Sequence, residues 1–287
     1  MSFSFYVAAP TPPDYQRVLD GLDYWDIHCI EGDRSEEGPW PDSVLHFFRD
    51  EVSTRGVEVA LEEGTFQVRI MTLASPDDYE LALRFVESAA VLLQQPVEPE
   101  DNEPFPVDQL RERYTEQWVR DTNTFGAATL RAIITEDEST ATLSGVNRPI
   151  HVGPRLLREL DEAGPEEEFL DRLLGKLLEV QNVDPNEYYC ANTMQAKRSE
   201  SDEEGFTFAV WGPGVQYLMP DVQFLALVRG EEEAPVFIAA ENFPDVMPDG
   251  WEWLDEKQLL VDAVDESEWD DVIARAREYE VDAFEQR

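Results

Sequence analysis

The sequence predicts an α+β fold in which antiparallel hairpins are packed by helices, arranged as two lobes. Short runs of alternating apolar and polar residues, separated by turn residues, predict hairpins in both halves of the chain. No sustained strand–helix–strand alternation connects them, and a parallel α/β sheet needs that alternation. We expect an N-terminal lobe over 1–95, an acidic Pro-rich linker over 96–105 and a C-terminal lobe over 106–287.

The N-terminal lobe contains the clearest local patterns. Apolar residues alternate with polar ones over 57–61 and again over 66–70, with a Glu-Glu-Gly turn between them, which predicts a β-hairpin. Ser75 is placed to cap a helix that has Pro76 at its first position and acids in its first turn. Before these elements we expect a strand at 3–7, a short helix over 14–22, a strand at 24–30 and an apolar run at 44–48 that is too short to assign.

Beyond these elements, prolines and acids fill 96–105 with almost no apolar residue, which is typical of a linker. The spacing of Val107, Leu110, Tyr114 and Trp118 then predicts a helix. The remaining expected elements are a second hairpin with strands 130–134 and 140–146, an extended segment at 149–152, two helices joined by Gly164-Pro165, strands at 188–194, 206–211, 215–219, 224–228 and 235–239, and a helix that Asp265 caps.

The chain is strongly acidic, with 63 Asp and Glu against 22 Lys and Arg and a net charge of −41 at pH 7. Nucleic acids and anionic membrane surfaces are bound through clustered Lys and Arg, but the longest basic cluster here, Lys197-Arg198, lies among acids. Direct binding to either is therefore disfavoured, whereas a basic protein partner would be attracted. A GC-rich genome or adaptation to a saline cytoplasm would also explain the acidity, and both explanations stay open.

The sequence contains no recognisable catalytic or metal-binding motif. None of His28, His46 and His151 has metal-ligand spacing, and the adjacent His28 and Cys29 would point to opposite faces of a strand. Cys29 and Cys190 fit no disulfide scaffold, and no stretch approaches the ~18 apolar residues that a membrane span needs. We expect a soluble cytoplasmic protein with no cofactor and no metal, and we favour a non-enzyme.

Two features predict where a partner would bind. Trp251 and Trp253 alternate about Glu252, so an extended segment would present both indoles on one side, either as partner anchors or as core. Acidic hairpin tips would form a focused negative rim if they converge, and are otherwise simply solvated turns. The candidate partner-binding residues are Glu136, Asp137, Glu138, Asp202, Glu203, Glu204, Glu231, Glu232, Glu233, Trp251 and Trp253.

Four segments of the first third carry a family resemblance. Residues 3–7, 55–59, 66–70 and 75–82 have the sequences FSFYV, RGVEV, FQVRI and SPDDYELA. In this order, with a hairpin followed by a capped helix, they resemble the opening of an uncharacterised bacterial family of similar length and unknown function. The resemblance implies a bacterial cytoplasmic protein and carries over no functional residue.

The function that these observations favour is a non-enzymatic interaction protein that binds a basic partner, in the manner of an immunity protein, an inhibitor or a nucleic-acid mimic. The net charge, the missing catalytic frame and the acidic tips motivate it. The alternative is a carboxylate-dependent hydrolase acting on a neutral or cationic small substrate. That alternative requires a deep pocket with at least two buried acids whose pKa values are shifted.

Overall fold

The computed structural model describes residues 2–24, 26–30, 38–198, 204–230 and 233–284. The contacts within the chain separate two units, Met1–Asn182 (unit 1) and Val183–Arg287 (unit 2). Each unit contains its own apolar core. The segment 96–105, which the sequence predicts as the linker, lies inside unit 1.

Unit 1 contains both strands and helices. Its described strands are Ser2–Ala8 (β1), Ile27–Cys29 (β2), Leu45–Arg49 (β3), Val57–Glu62 (β4), Thr65–Met71 (β5), Val97–Pro99 (β6), Ala141–Leu143 (β7) and Ile150–Val152 (β8). Its described helices are Tyr15–Asp20 (α1), Pro76–Leu93 (α2), Leu110–Arg113 (α3), Glu116–Asp137 (α4), Pro154–Glu162 (α5) and Phe169–Gln181 (α6).

The main sheet of unit 1 has its described strands in the order β2-β3-β4-β5-β1-β6, paired antiparallel throughout. The predicted hairpin forms its centre, with β4 and β5 joined by a turn at Glu63 and Gly64. Because side chains alternate along a strand, one face of this sheet is apolar and buried. The opposite face, which we call the open face, has the cross-strand polar row His46, Glu58 and Arg69.

Helix α2 packs on the apolar face, and its start is the one predicted. The Ser75 side chain accepts a hydrogen bond from Asp78 N, and the Asp78 side chain accepts one from Ser75 N, both at 3.1 Å. This reciprocal capping box satisfies two backbone donors that would otherwise lack helical partners. Leu81 and Phe85 on the sheet side of the helix are fully buried.

The second predicted hairpin is wrong, because residues 130–134 belong to helix α4. Asn123, Ala127, Leu130 and Ile134 are buried at intervals of four, three and four residues, which is a helical stripe. The apolar run that suggested a strand is the C-terminal end of that stripe. Strand β7, in the other half of the predicted hairpin, pairs instead with β8.

The Pro-rich segment 96–105 contains β6, the last strand of the main sheet. Val97 pairs with Val7 of β1, and it also exchanges two backbone hydrogen bonds of 2.9 Å with Phe105. Val97 and Phe105 are both buried. Two apolar side chains therefore anchor a stretch whose remaining residues are mainly prolines and acids.

Unit 2 is built mainly of short strands. Its described strands are Tyr189–Cys190 (β9), Met194–Ala196 (β10), Phe206–Trp211 (β11), Tyr217–Met219 (β12), Phe224–Leu227 (β13), Val236–Ala239 (β14), Trp251–Trp253 (β15) and Leu259–Val261 (β16). Its described helices are Phe243–Val246 (α7) and Glu266–Ala276 (α8).

The strands of unit 2 form two sheets, in the orders β10-β11-β13-β14 and β15-β16-β12-β9 among the described residues. The pairs β11–β13 and β12–β9 are parallel, and the others are antiparallel. Trp211 lies at the centre of the core, with its ring 4.9 Å from Trp269 and 5.0 Å from Phe243. Helix α8 follows Asp265 as predicted, but the predicted cap is wrong: the Asp265 side chain makes no capping hydrogen bond, and Glu268 N donates to the backbone oxygen of Asp265.

The predicted fold class is confirmed: both units are α+β, and antiparallel pairing dominates their sheets. Over the parts of the chain that the structure describes, no helix has the length and apolar character needed to cross a membrane.

Candidate functional site

The first predicted acidic tip is the C-terminal end of helix α4 and not a hairpin turn. Glu136 and Asp137 are its last residues, and Glu138 ends it in the left-handed conformation with φ of 49°. All three residues are exposed. Carboxylates at a helix C-terminus lie at the negative end of the helix dipole, so they add to a negative potential that the free carbonyls already produce.

Glu204 and Glu233 are the described residues of the other two predicted tips, and both lie beside strands of one sheet of unit 2. Glu204 precedes β11, and Glu233 precedes β14 in the connection that follows β13. Because β11 and β13 run parallel and in register, the start of β11 and the end of β13 lie at opposite ends of the sheet. Glu204 and Glu233 are therefore not brought together. Asp202, Glu203, Glu231 and Glu232 lie outside the described residues.

Trp251 and Trp253 lie in β15, the edge strand of its sheet, and present both indoles on one side. The two rings are 5.7 Å apart and nearly perpendicular, and both side chains pack half-buried against the core of unit 2. The Trp251 Nε1 donates a hydrogen bond of 2.6 Å to Met247 O. Each indole thus has a fixed inner part and an outer part that a partner could contact.

Three other acidic residues of unit 2 surround Tyr188. Burial raises the pKa of the Tyr188 phenol, and the carboxylates of Glu187, Asp262 and Glu252 raise it further. Asp262 N donates to Gly250 O at 2.8 Å, which places Asp262 diagonally across from Glu252, on the sheet face opposite the two indoles. We call the exposed residues Glu187, Glu252 and Asp262 the acidic cluster.

The acidic cluster is a charged surface and not an ion cage. Within the described part of the chain, no group of three His, Cys, Asp or Glu side chains could hold a metal ion. Sequence reasoning missed the cluster because its members come from separate segments, which are brought together only by the strand order β15-β16-β12-β9.

Several concave sites of unit 1 are lined by charged side chains, and two of them lie between elements described above. The larger, of about 960 Å³, lies between helices α2, α4 and α6 and has mixed charge, since Arg111 bonds Glu80 and Arg120 bonds Asp171. We call it the helical groove. The smaller, of about 500 Å³, lies between the open face of the main sheet and residues 142–149, and we call it the sheet-face cavity.

Arg55 is the buried charge at the wall of the sheet-face cavity, with only 8% of its surface exposed. Its Nε donates to Ser144 O at 3.0 Å and its Nη1 donates to Thr72 O at 2.6 Å. Burial lowers the pKa of the Arg55 guanidinium, although the charge of Asp78 acts in the opposite direction. His46 Nε2 donates to Arg55 O at 2.6 Å, because a carbonyl oxygen can only accept.

The sequence offers one signal for this arrangement, the glycine after Arg55. Gly56 has φ of +65°, and a Cβ on it would lie 2.5 Å from His46 Nε2 and 2.6 Å from Phe47 O. Glycine is the residue that tolerates this conformation and this close approach. The remaining cavity residues come from segments whose juxtaposition the sequence pattern does not indicate.

The two fully buried acids of the described chain have structural partners. Asp78 Oδ2 accepts hydrogen bonds of 3.0 Å from Thr54 N and Arg55 N, and Asp255 Oδ1 accepts bonds of 2.8 Å from Lys257 N and Gln258 N. Neither acid lines the helical groove or the sheet-face cavity. Neither of these cavities therefore supplies the pair of buried acids that the hydrolase alternative requires.

The fold and these surfaces define a class, a strongly acidic α+β protein with an aromatic sheet edge and a small cationic cavity. Within that class, the chain belongs to the family described as Domain of unknown function (DUF4299), whose model matches residues 14–207. The resemblance to an uncharacterised family is thereby confirmed, and the match extends beyond the first third, through unit 1 and into β11. No curated protein and no solved structure matches the chain.

Proposed function

We propose that this protein is a non-enzymatic interaction protein that binds a basic protein partner through unit 2. The observation that carries the proposal is the charge of that unit, which has 26 acidic against 7 basic residues, a net charge of −19 in 105 residues. Of its described acids, all except Asp255 and Glu256 are exposed. Such a surface attracts and orients a cationic protein before contact.

Ion pairs within unit 2 neutralise only part of this charge. Arg229 bonds Glu233 and Asp270, and Lys257 bonds Asp221. Among the described residues, no cation forms an ion pair with any member of the acidic cluster. These carboxylates remain available for the Lys and Arg side chains of a partner.

The grouping of the acidic cluster matters because salt limits the range of each charge. The Debye length is about 8 Å at physiological ionic strength, so carboxylates gathered around Tyr188 act together on one approaching cation. Glu204 and Glu233, at opposite ends of their sheet, do not act together in this way.

The indoles of Trp251 and Trp253 supply the apolar part of the proposed contact. Large, partly buried aromatic side chains provide much of the binding energy in protein interfaces, whereas charges mainly accelerate and orient the encounter. β15 is an edge strand, so its backbone is also placed to pair with an extended segment. We therefore expect a basic, extended segment of the partner to lie along β15.

Affinity capture with the full chain at about 0.05 M and about 0.5 M salt tests the proposal. A basic protein should be recovered at low salt, and its association rate should fall as salt rises. The triple variant Glu187→Gln, Glu252→Gln, Asp262→Asn should lower that rate by about tenfold.

The matched control is Glu136→Gln, Asp137→Asn, Glu138→Gln, which removes the same charge from the end of helix α4 in unit 1. It should leave the association rate nearly unchanged. Recovery of no basic protein, or an equal effect of the two triple variants, would count against binding through unit 2.

A further inference from the structure

We propose that the sheet-face cavity of unit 1 binds a small organic oxyanion, whose carboxylate or phosphate group contacts Arg55 and Arg148. This site is independent of the partner surface proposed for unit 2. The proposal starts from Arg55, a cation held in the cavity wall of a chain whose net charge is −41.

Arg55 has hydrogen-bonding capacity that the described chain does not use. A guanidinium has five N–H donors, and two of them are directed to Ser144 O and Thr72 O. Nη2 makes no hydrogen bond to a described residue, and Arg55 lines the cavity.

The nearby acid Asp78 does not take up this capacity. It is not within ion-pair distance of the guanidinium, and its Oδ2 accepts hydrogen bonds from the backbone of Thr54, Arg55 and Ser75. A buried charge is costly unless it is paired and hydrogen-bonded. Two carbonyl oxygens offset part of that cost for Arg55, and an anion in the cavity would offset more.

The other charges at the cavity wall also favour an anion. Arg148 lines the cavity as a second cation, together with the polar side chains of Thr142, Ser144 and Asn147. The one acid in the lining, Glu58, is bound to Arg69 at 2.8 Å.

The size and the apolar part of the cavity indicate an organic ligand. A volume of about 500 Å³ lies within the range of small-molecule sites. Ile30 and Val44 are 45% and 46% exposed there, which is high for large aliphatic side chains, and Met71 adds to the same wall. A bare phosphate ion would leave this surface in water, whereas an oxyanion with an apolar body would cover it.

The loop that supplies Arg148 is held in place by Gln181. The Gln181 Oε1 accepts from Asn147 N at 2.8 Å and from Arg148 N at 3.2 Å, and its Nε2 donates to Arg148 O at 3.0 Å. A Cβ at Gly145 would lie 2.5 Å from the Gln181 amide, so the loop packs closely against that side chain. A wall fixed in this way loses little conformational freedom when a ligand binds.

The three histidines of the chain allow a test in the unmodified protein. His46 lines the cavity, whereas His28 lies outside its lining and is bound to Asp50 at 3.0 Å. Titration with phenyl phosphate or benzoate, followed by NMR of the histidine rings, should shift the His46 signals saturably and leave those of His28 in place. The two probes distinguish a phosphate from a carboxylate head group.

Two variants, with a third as control, then identify the cation that binds the probe. Arg148→Gln should weaken the better probe by about tenfold, as expected when a charge-assisted hydrogen bond is lost. Arg158→Gln removes the same charge from an exposed position of helix α5 outside the cavity lining, and it should bind like the wild type. Arg55→Lys, which keeps the charge but loses the planar fork, should also bind more weakly.

If Arg55→Lys does not fold, Arg148→Gln read through His46 decides the question. The proposal is overturned if neither probe shifts His46 saturably at millimolar concentration. It is equally overturned if His28 shifts as much as His46, or if Arg148→Gln binds as tightly as the wild type.

Discussion

The two units place their polar groups in opposite ways. Among the described residues, unit 1 buries eleven polar or charged side chains, whereas unit 2 buries Asp255 and Gln258. Unit 1 has a net charge of −22 over 182 residues, from 37 acids and 15 basic residues, and unit 2 has −19 over 105. Unit 1 thus buries more polar side chains, and unit 2 has more net negative charge per residue.

The buried polar groups of unit 1 join segments that are distant in sequence. The Asn123 side chain on helix α4 accepts from Leu73 N at 2.9 Å and from the Tyr79 hydroxyl at 3.2 Å, and it donates to Ala74 O at 3.0 Å. In unit 2, by contrast, the side chains of Asp255 and Gln258 bond each other within one turn. Aromatic side chains pack in the cores of both units, but in unit 1 directional bonds also join distant segments, whereas unit 2 leaves nearly all of its described carboxylates at the surface.

The largest expected effect tests this difference directly. Asp78→Ala should lower the free energy of unfolding of unit 1 by about 3–5 kcal/mol, because it strands backbone donors from two segments and removes a negative charge that acts on Arg55. Asp255→Ala should cost unit 2 about 1–2 kcal/mol, because the backbone donors that it strands, Lys257 N and Gln258 N, belong to one turn. Amide hydrogen exchange measures each unit separately. Equal costs would remove the distinction between the units.

A smaller effect tests how tightly helix α4 packs in unit 1. A Cβ at Gly126 would collide with Thr72 Cγ2, so Gly126→Ala should destabilise unit 1 by about 1–3 kcal/mol. Gly175→Ala, in helix α6, meets nothing within 4 Å and should stabilise by up to about 1 kcal/mol through helix propensity. Denaturant unfolding measures both changes. Thr72→Ser removes Cγ2 and should recover stability in the Gly126→Ala background, and failure to do so would contradict the steric explanation.

The smallest effect separates hydrogen bonding from packing in the core of unit 2. Trp269 Nε1 donates to Val228 O at 2.9 Å, whereas the buried Trp211 Nε1 has no hydrogen-bond partner among the described residues. Both indoles are almost fully buried, so replacement by phenylalanine removes similar volume. Trp269→Phe should therefore cost about 1 kcal/mol more than Trp211→Phe, because it leaves a carbonyl unpaired. Thermal unfolding in which Trp211→Phe is the more damaging change would show that packing dominates.

The elements that could be predicted from the sequence are those with local signals. The hairpin β4–β5 follows from alternation around Glu63-Gly64, and helix α2 follows from the cap at Ser75. Helix α4 could not be recognised from 130–134 alone, because a short apolar run fits a strand as well as a buried helical segment. Its stripe becomes visible only when Asn123 and Ala127 are included.

The candidate sites depend on pairing that no local pattern encodes. The sequence places Glu204 and Glu233 in turns, but only the parallel register of β11 and β13 puts them at opposite ends of a sheet. The acidic cluster likewise requires β16, a strand for which the sequence analysis gave no prediction, to bring Asp262 next to Glu252. Arg55 gave no signal of its own, since burial of a single charge is a property of the assembled unit.

The short strand β6 has a practical consequence for how the chain can be divided. Strand β6 pairs with β1 and so covers backbone N–H and C=O groups of β1 that would otherwise be unpaired. β6 itself contains a proline and an exposed glutamate, and its Val97 is bridged to Phe105. A strand edge with unpaired backbone groups can pair with strands of other molecules. A fragment that ends at residue 95 would expose β1 to neighbouring copies. A fragment that continues to Asn182 retains β6, which blocks polymerisation through the edge of β1.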